Sequence, residues 1–558
     1  MHQLSNLLSE RIASGLRRQS IVDPGRWACA YRVMGKPFAG PWNFRRHPWL
    51  EGMHNSDAEI NVGQKAAQMG YTETVLNVCF YYIDMHGVDV LYVLPSKTPD
   101  ASDFSAARFD AALNLSPHLG KLFSNVKNVG HKRAGNTNFY LRGAKSRSGL
   151  KSVPVGILIL DEKDEMNQDN IPLARERQSG YDINKTWEIS TPTIDGFGIN
   201  ETFNISTQNE FFFQCQACSF EGKPRWINLT WPDAIEIVGE NFDDPRIHDS
   251  YIKCPLCGAK IPHKEKYHWL QGGRWIPQYG EKDIIGWGIN QLYSSTPRTS
   301  PGNIVWQYYK AKVNPADEQE FFNSKLGIPH IVEGARVTEK DIDSCIGDYT
   351  TTKANHSGLV TMGIDVGNYL HFEIDKWHLA SQSVDLNSEA KCQVLAVGKV
   401  LHFEELDKLM HVFGVKFAVC DMQPERRKAY EFATRFWGVV RLCYYGRGIQ
   451  GKHIHISSED ETNNELSVTV DRTSWIDLAL SRFRSQMIVL PKDIPKEYKD
   501  HIKSLVRVYE KDQDSNPIAK YVKAGSDEDH FAHARVYSEI ALPLAASLAV
   551  SSDIRGSY

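Results

Sequence analysis

Four of the ten cysteines in this sequence form two Cys-x-x-Cys pairs, Cys215 with Cys218 and Cys254 with Cys257. Each pair can present two thiolates from one tight turn, and Zn²⁺ prefers four soft ligands arranged as a tetrahedron. Because four cysteine ligands leave no open coordination position, the spacing predicts a structural zinc site. Four unrelated thiols are the alternative. This use of cysteine is typical of a reducing compartment.

A second pattern, typical of phosphate binding, begins at Gly63. A strand expected at 60–62 leads into a loop bounded by Gly63 and Gly70, and a helix is expected at 73–82. A strand, loop and helix in this order turn backbone N–H groups and the positive helix end toward an anion. The segment therefore predicts a phosphate-binding loop, with an ordinary turn between strand and helix as the alternative.

Two side chains of this loop could contact a nucleotide directly. Lys65 is long enough to reach the β- and γ-phosphates, and the hydroxyl of Thr72 could hold Mg²⁺. The usual phosphate-loop pattern has lysine directly before this hydroxyl residue, whereas this sequence has Tyr71 there. The expected nucleotide-binding set is Gly63, Lys65, Gly70, Tyr71 and Thr72.

An apolar strand expected at 155–160 ends in two carboxylates, Asp161 and Glu162. An aspartate at such a strand end can hold Mg²⁺, and the adjacent glutamate can orient the attacking water. We expect this strand to lie side by side with the strand before the phosphate loop. A buried strand with a solvated acidic end is the alternative. A further strand expected at 187–189 leads into Ser190-Thr191-Pro192, which could couple hydrolysis to motion.

Between these strands, the segment 121–155 contains eight lysines and arginines and neither aspartate nor glutamate. A solvated surface usually mixes charges of both signs, so this run indicates contact with an anion. This basic segment could bind a phosphate backbone or supply an arginine to the γ-phosphate. Arg147 and Arg142 are the candidates for that role, with Arg147 slightly favoured.

A third constellation is made of carboxylates. Asp365 lies in a strand expected at 361–367, Asp421 ends a strand expected at 417–421, and an acidic cluster at 527–529 opens a helix. Together these groups could hold two divalent metal ions, Mg²⁺ or Mn²⁺, for phosphodiester cleavage. The order strand-Asp, strand-Asp, helix-Asp is that of the RNase H-like nucleases. Each aspartate alone could be a simple strand-end residue.

These residues need an α/β fold to bring them together. Apolar runs alternate with helical patterns from residue 58, which predicts a doubly wound parallel sheet. The expected domains are an N-terminal helical arm and lead-in at 1–57, an ATPase core at 58–204 and a zinc-binding insert at 205–275. The remainder of the ATPase domain and a linker follow at 276–350, and the nuclease domain spans 351–558.

Composition excludes several classes of protein. The net charge is −4, so the chain is no histone-like polycation, and contact with nucleic acid must come from local basic patches. One such patch is expected among the basic residues from Arg426 to Lys452. No apolar run is long enough to span a bilayer, and the N-terminus lacks the pattern of a signal peptide.

Taken together, these motifs resemble the large terminase subunit of tailed bacteriophages, in particular its lambda-like branch. The resemblance rests on the early Lys65 with Gly70-Tyr71-Thr72, the Asp161-Glu162 strand end and the Ser190-Thr191-Pro192 segment. It also includes the paired cysteines and the three aspartates, and it covers roughly residues 30–545. It implies an N-terminal P-loop ATPase, a four-cysteine zinc insert and a C-terminal RNase H-like nuclease.

The resemblance also implies function and partners. Such a protein hydrolyses ATP to move double-stranded DNA into a procapsid and cuts concatemeric DNA in the host cytoplasm. It works with a small terminase subunit, the portal protein and other copies of itself in a ring. By the resemblance, Lys65 and Thr72 bind ATP and Mg²⁺, Asp161 holds the metal and Glu162 positions water. The arginine acting on ATP would be Arg147 or one from a neighbouring subunit.

In the nuclease, the same resemblance assigns metal binding to Asp365, Asp421 and Asp529. Asp527 could replace Asp529, and His530 or His533 could join the site. A zinc-containing helicase-nuclease of DNA repair or recombination is the alternative enzyme. A DNA-binding scaffold with an inactive nucleotide fold is the alternative from a different class.

Overall fold

A computed structural model describes residues 21–124, 126–151, 153–220, 223–351, 357–379, 389–446, 449, 451–456, 466–511, 517–525 and 528–555. Residues 1–20, the start of the expected N-terminal helical arm, lie outside these ranges, and so does Asp527. The chain divides into two compact units, Met1–His330 and Ile331–Tyr558. This division falls before residue 351, where the sequence led us to expect the start of the nuclease domain.

The first unit contains one large sheet and two small ones. Its strands are β1 Val33–Met34, β2 Gly40–Pro41, β3 Ile60–Lys65, β4 Val90–Leu94, β5 Val126–Asn128, β6 His131–Ala134, β7 Thr137–Gly143, β8 Ile157–Asp161, β9 Lys185–Ser190, β10 Asn209–Gln214, β11 Trp226–Ile227, β12 Ile235–Glu236, β13 Tyr251–Lys253, β14 Lys260–Ile261, β15 Arg274–Ile276 and β16 Ile284–Ile289.

The α-helices of the first unit are mostly short. They are α1 Pro24–Tyr31, α2 Trp49–His54, α3 Tyr71–Tyr81, α4 Ser102–Phe104, α5 Ala111–Leu115, α6 Pro117–Leu122, α7 Arg147–Leu150, α8 Ile171–Arg175, α9 Ile199–Asn204, α10 Lys266–Trp269, α11 Pro301–Ala311 and α12 Pro315–Glu320. A 3-10 turn at Lys163–Glu165 follows β8, and a π-helical turn at Phe321–Leu326 follows α12.

The large sheet runs in the order β11-β10-β16-β3-β9-β8-β4-β7-β6-β5, with β15 also paired to β10. All pairings from β10 through β7 are parallel. Every residue of β4 and β8 is buried, as expected for central strands covered on both faces. The expectation that β3 and β8 lie side by side is wrong, because β9 is inserted between them.

The segment 205–275, expected as a zinc-binding insert, is only partly separate from this sheet. Strands β10, β11 and β15 extend the large sheet. Strands β12, β13 and β14 form a three-stranded antiparallel sheet of their own. The first cysteine pair therefore follows a strand of the main sheet, and the second follows a strand of the small one.

The second unit has a mixed eight-stranded sheet and a two-stranded hairpin. Its strands are β17 Leu359–Val366, β18 Leu370–His378, β19 Lys391–Val400, β20 Phe417–Asp421, β21 Val440–Tyr445, β22 Ile454–Ile456, β23 Ser467–Val470, β24 Ile488–Val489, β25 Leu505–Lys511 and β26 Pro517–Lys523. Its helices are α13 Glu339–Asp343, α14 Phe403–Phe413, α15 Arg426–Arg435, α16 Arg472–Arg484, α17 Lys496–Ser504 and α18 His530–Arg555.

The eight-stranded sheet follows the order β22-β23-β21-β20-β17-β18-β19-β24. Strands β17, β18 and β19 form an antiparallel meander, and β20 pairs parallel with β17. Helix α18 lies on β17 at very close range, since a Cβ atom on Gly363 would stand 1.9 Å from the carbonyl oxygen of Ala534. Only glycine permits this approach, and it brings the start of α18 to the end of β17.

Local signals explain where several helices begin. Thr338 and Asp341 form a capping box at the start of α13, and Asp471 accepts a hydrogen bond from the backbone N–H of Ser474 at the start of α16. Asp23 and Asn314 cap α1 and α12 in the same way. Such caps satisfy the N–H groups that a first helical turn leaves free. Among the described residues, no helix combines the length and apolar character needed to cross a membrane.

Candidate active sites

Strands β3 and β8 end at the same edge of the large sheet, where parallel α/β proteins place their ligand sites. Lys65 is the last residue of β3, and Asp161 is the last residue of β8. The loop after β3 spans only 66–70 before α3 begins. The expected strand at 60–62 is thus longer in the structure, and Lys65 belongs to the strand, not to the loop.

Four of the expected nucleotide-site residues meet at this edge. The ammonium group of Lys65 lies 2.9 Å from Oε1 of Glu162. The hydroxyl of Thr72 donates to Oδ1 of Asp161 over 3.4 Å, and the hydroxyl of Tyr92 donates to Oδ2 of the same carboxylate over 2.5 Å. Sequence reasoning missed Tyr92, although its place in the apolar strand β4 beside β8 could have indicated it.

The electrostatics of this cluster are unusual for surface groups. Burial, followed by the charge of Glu162, raises the pKa of Asp161 to about 6. Burial acts to lower the pKa of Lys65, but the negative charges of Glu162 and Asp161 outweigh it and raise that pKa. Glu162 has a φ of +60°, a conformation that costs energy for a non-glycine residue and is concentrated at functional sites.

Three other expected nucleotide ligands have structural roles. Gly63 lies inside β3, where a Cβ atom would stand 2.6 Å from the ring of Tyr71. Tyr71 is 1% exposed, and its hydroxyl donates to the carbonyl of Trp287. Its side chain therefore packs the core and is not available to a nucleotide, which corrects the expectation from its motif position. Gly70, with a φ of +90°, turns the chain into α3.

The Ser190-Thr191-Pro192 segment is tied to the end of β8 through Asp164. The backbone N–H of Asp164 donates to Oγ of Ser190, and its carboxylate accepts from the backbone N–H groups of Thr193 and Ile199. Burial raises the pKa of Asp164 to about 6. The carbonyl of Thr193 in turn accepts hydrogen bonds from Gln319, Asn323 and the backbone of His330.

The candidate arginines are not part of this cluster of contacts. Arg142 donates to the carbonyls of Gly130 and Leu141, and burial lowers the pKa of its guanidinium group. Arg147 is exposed at the start of α7, and its side chain has no hydrogen bond or ion pair with any other described residue. Lys132, from the same basic run, is buried and pairs with Asp110. Arg142 and Lys132 thus serve the fold.

The four paired cysteines converge as expected from their spacing. Their Sγ atoms all lie within 4.8 Å of one another, and those of Cys215 and Cys257 are 3.9 Å apart. Backbone N–H groups close each knuckle: Ser219 donates to the carbonyl of Cys215, and Gly258 donates to the carbonyl of Cys254. Four thiol groups at this range are a donor set that fits a tetrahedral zinc ion.

In the second unit, β17 and β20 bring two of the three expected aspartates to one sheet edge. The parallel register pairs Ile364 with Cys420, so Asp365 and Asp421 follow on adjacent strands. Burial raises the pKa of Asp421 to about 6, and the charge of Asp365 adds to the shift. This proximity of two carboxylates fits the expected metal chemistry.

The start of α18 adds histidines to this edge. Nδ1 of His530 lies 2.7 Å from Oδ2 of Asp365, and this contact raises the pKa of His530. Asp529 instead lies 3.4 Å from Nε2 of His533, whose Nδ1 contacts the hydroxyl of Tyr445. Burial acts to raise the pKa of Asp529, but His533 outweighs it and lowers that pKa.

The set of possible metal ligands differs from the expected one. Among the described residues, Asp365, His371 and His530 form the non-cysteine group whose ligand atoms lie within 4.8 Å of one another. Asp421 and Asp529 are outside this group. His371 was missed by sequence reasoning. The turn residues Gly367-Asn368 predict a hairpin in which His371 faces Asp365, and that signal could have found it.

Below this edge, α18 carries a buried network of charges. The guanidinium group of Arg535 is fully buried and contacts Glu373 at 2.7 Å, Asp375 at 2.6 Å and Glu539 at 3.0 Å. Arg482 donates two hydrogen bonds to Glu539. Burial, followed by the charge of Asp375, raises the pKa of Glu373. The network fixes α18 against β18.

A model of a known protein family matches part of the chain. Residues 37–275 match the family model described as the ATPase domain of the phage terminase large subunit gpA. The resemblance to large terminase subunits, expected from the motifs, is thereby confirmed over this segment. The described α/β fold with its parallel-stranded sheet agrees with it. No curated protein matches the chain.

Several solved structures are also similar to the chain. The large terminase of bacteriophage HK97 matches with 11% identity and a TM-score of 0.48, over 94% of this chain and 98% of that one. The large terminase of a thermophilic bacteriophage, solved in complex with ADP, matches with 12% identity and a TM-score of 0.28, over 89% and 98%. The large terminase nuclease of the thermophilic phage G20c matches with 13% identity and a TM-score of 0.22, over 36% and 94%.

Proposed function

We propose that this chain is the motor subunit of a DNA-packaging terminase of the lambda-like branch. It hydrolyses ATP to translocate double-stranded DNA into a procapsid, and it cuts concatemeric DNA with a metal-dependent endonuclease. The match of residues 37–275 to a terminase ATPase domain supports the motor function. The observation that carries it is the meeting of Lys65, Thr72, Asp161 and Glu162 at one sheet edge.

In the proposed hydrolysis of ATP, each of these residues has a separate role. Lys65 neutralises the β- and γ-phosphates, and Thr72 and Asp161 hold the Mg²⁺ ion that accompanies ATP. That ion would polarise the transferred phosphoryl group. Tyr92 keeps the carboxylate of Asp161 oriented through its short hydrogen bond. Glu162 orients the attacking water once Lys65 is drawn to the phosphates. Arg147, which is exposed and has no hydrogen bond or ion pair among the described residues, or an arginine of a neighbouring subunit, supplies charge to the γ-phosphate.

In the proposed nuclease, the edge of β17 and β20 holds the metal ions. Asp365 and Asp421 are the main carboxylates, and His530 and Asp529 flank them at the start of α18. Metal ions there would activate water and stabilise the leaving oxygen. The mixed sheet and the order strand-Asp, strand-Asp, helix-Asp support an RNase H-like domain in the second unit.

The remaining proposed features follow from the resemblance and the cysteine cluster. We assign a structural Zn²⁺ to Cys215, Cys218, Cys254 and Cys257, which ties β10 to the small sheet. The proposed partners are double-stranded DNA, a small terminase subunit, the portal protein of the procapsid and further copies of this chain in a ring. The proposed location is the host cytoplasm, at the portal vertex during packaging.

The motor function is tested by replacing Glu162 with glutamine. We expect Glu162→Gln to lower DNA-stimulated ATP hydrolysis by about 100-fold or more while nucleotide binding persists, because the water is no longer oriented. The matched control is Glu176→Gln, since Glu176 is exposed on the same unit. Unchanged hydrolysis in Glu162→Gln would refute the assignment.

Packaging and cutting need separate assays. With purified procapsids, portal and small subunit, the wild-type chain should protect DNA from added nuclease, and Glu162→Gln should not. Strand separation without DNA entry would instead favour a helicase.

For the nuclease, Asp421→Asn should abolish metal-dependent cutting, whereas Asp348→Asn, at an exposed carboxylate, should cut normally. Equal cutting by both variants would remove the nuclease assignment.

A further inference from the structure

We propose that Asp365, His371 and His530 form a binding site for a divalent transition-metal ion, with one carboxylate and two imidazole ligands. The inference concerns the metal site of the proposed nuclease. Only the reaction that the ion would serve depends on that proposed function. It differs from the Mg²⁺ or Mn²⁺ site expected from the sequence, because His371 joins Asp365 and His530 while Asp421 and Asp529 lie outside the group.

The hairpin of β17 and β18 places the first two ligands. Asp365 and His371 are direct partners in its antiparallel register, so their side chains leave the same face of the sheet. The backbone N–H of Gly367 donates to the carbonyl of Tyr369 over 3.0 Å and closes the turn between them. The two side chains are therefore held by the sheet itself and not by a loose loop.

The third ligand comes from the helix that lies on this hairpin. His530 is the first residue of α18, and its ring stacks on that of His371 with 4.6 Å between centroids and 14° between planes. One ligand atom of each of the three residues lies within 4.8 Å of the other two. Metal–nitrogen and metal–oxygen bonds are about 2.0–2.2 Å long, so small side-chain rotations would close this set on an ion.

An independent observation points to a ligand at this place. His371 is 3% exposed, and its Nδ1 atom is buried without a hydrogen-bond partner among the described residues. Buried polar atoms nearly always have a partner, and an unmatched one indicates a place for a water molecule or an ion. An ordinary Asp365–His530 pair would explain the contact of those two residues, but it would leave His371 unexplained.

The neighbouring histidine helps to delimit the site. The ring of His501 lies 5.8 Å from that of His371 and 6.0 Å from that of His530. However, Nδ1 of His501 already accepts the backbone N–H of Phe531, and the residue is outside the close set. His501 thus supports the start of α18, while His371 and His530 keep ring nitrogens near Asp365.

The donor set determines which ion is favoured. Mg²⁺ prefers oxygen ligands and retains its water. Imidazole nitrogen binds Mn²⁺ less strongly than it binds Zn²⁺ or Co²⁺, but it binds Mn²⁺ more strongly than Mg²⁺. Two imidazoles therefore disfavour Mg²⁺ at this position. Asp421, on the adjacent strand, remains for a second ion with oxygen ligands.

The test uses the full chain with its cysteine cluster loaded with Zn²⁺ and then titrated with Mn²⁺. Electron paramagnetic resonance reports free Mn²⁺, and spin-echo modulation reports nitrogen ligands of the bound ion. We expect bound Mn²⁺ coupled to two imidazole nitrogens. His371→Gln should lose one coupling and bind at least about tenfold more weakly, as loss of a metal-site group typically does. His378→Gln, at an exposed histidine of the same strand, should match the wild type.

The outcomes separate this inference from the nuclease proposal. Asp421→Asn should keep the nitrogen-coupled Mn²⁺ signal even though cutting is lost. A chain that binds Mn²⁺ through two imidazoles but never cuts DNA would refute the nuclease proposal and would still support the metal site. A wild-type spectrum without nitrogen coupling would overturn the site, and this readout does not depend on the folding of any variant.

Discussion

The ammonium group of Lys65 and the carboxylate of Glu162 are joined by a 2.9 Å hydrogen bond, although their strands β3 and β8 are separated by β9 in the sheet. Lys65 is nearly buried, and Glu162 is about one-third exposed. The lysine proposed to bind phosphate thus contacts the glutamate proposed to orient water. A phosphate group that attracts Lys65 would release Glu162, which would link nucleotide binding to activation of the base.

Loss of the Lys65 cation should therefore weaken nucleotide binding strongly. We expect Lys65→Met to raise the dissociation constant for ATP by about tenfold or more, because a buried charge-assisted contact to phosphate is lost. Lys65→Arg should recover part of the affinity. Titration with a fluorescent ATP analogue measures the effect, and the exposed Lys121→Met serves as the control. Equal affinity in Lys65→Met and Lys121→Met would exclude Lys65 from the site.

The raised pKa of Asp161 predicts a pH-dependent cost to stability. Because the folded-state pKa is about 6, the native chain binds this proton more tightly than the unfolded chain does. Stability from this group is therefore highest at low pH and declines as pH rises through about 6. Asp161→Asn should stabilise the first unit at pH 7.5 by about 1–3 kcal/mol, and by less at pH 5. Urea unfolding at both pH values measures this, and a gain that is the same at both would contradict it.

The hydrogen bonds on the carbonyl of Thr193 predict that a variant lacking one of them couples DNA binding to ATP hydrolysis less well. Asn323 donates to this carbonyl, and Asp164 accepts from the N–H of the same residue. We expect Asn323→Ser to lower DNA-stimulated ATP hydrolysis while ATP affinity stays within about twofold, since the side-chain hydrogen bonds of Asn323 go to Gln319, Thr193 and Ile328 and to none of the proposed nucleotide ligands. Asn303→Ser, at a partly exposed helix position, is the control. A proportional loss of basal and stimulated rates would argue against coupling.

The cysteine cluster predicts one tightly bound zinc ion per chain. Cys254→Ser should lose the ion and lower the melting temperature, because metal binding at such a site contributes directly to folding. Metal analysis and thermal unfolding measure both effects. The control is Cys29→Ser, which changes an exposed cysteine outside the cluster. A full complement of zinc in the Cys254 variant would show that the four thiols are not its ligands.

The buried network around Arg535 predicts a large effect on stability in the second unit. Arg535→Met would leave Glu373, Asp375 and Glu539 without one of their cations, and breaking a buried pair in this way typically costs about 3–5 kcal/mol. The exposed Arg427→Met should change the free energy of unfolding by less than about 0.5 kcal/mol. Similar urea midpoints for the two variants would contradict the assigned role of Arg535.

The sequence by itself determined the features that depend on neighbouring residues. The Cys-x-x-Cys spacing, the apolar strand ending at Asp161 and the strand ending at Asp421 were all predictable, because each is a local pattern. The segment from β3 to α3 was also predictable as strand, loop and helix. Its boundary was wrong by a few residues, so Lys65 was expected in the loop although it ends the strand.

Only the tertiary structure decided which residues touch. It inserted β9 between β3 and β8, placed Tyr71 in the core and turned Tyr92 toward Asp161. It also brought His371 and His530 together across 159 positions of the chain, from hairpin to final helix. Strand order and helix packing arise from burial of apolar surface over the whole unit. No local pattern of residue types carries that information.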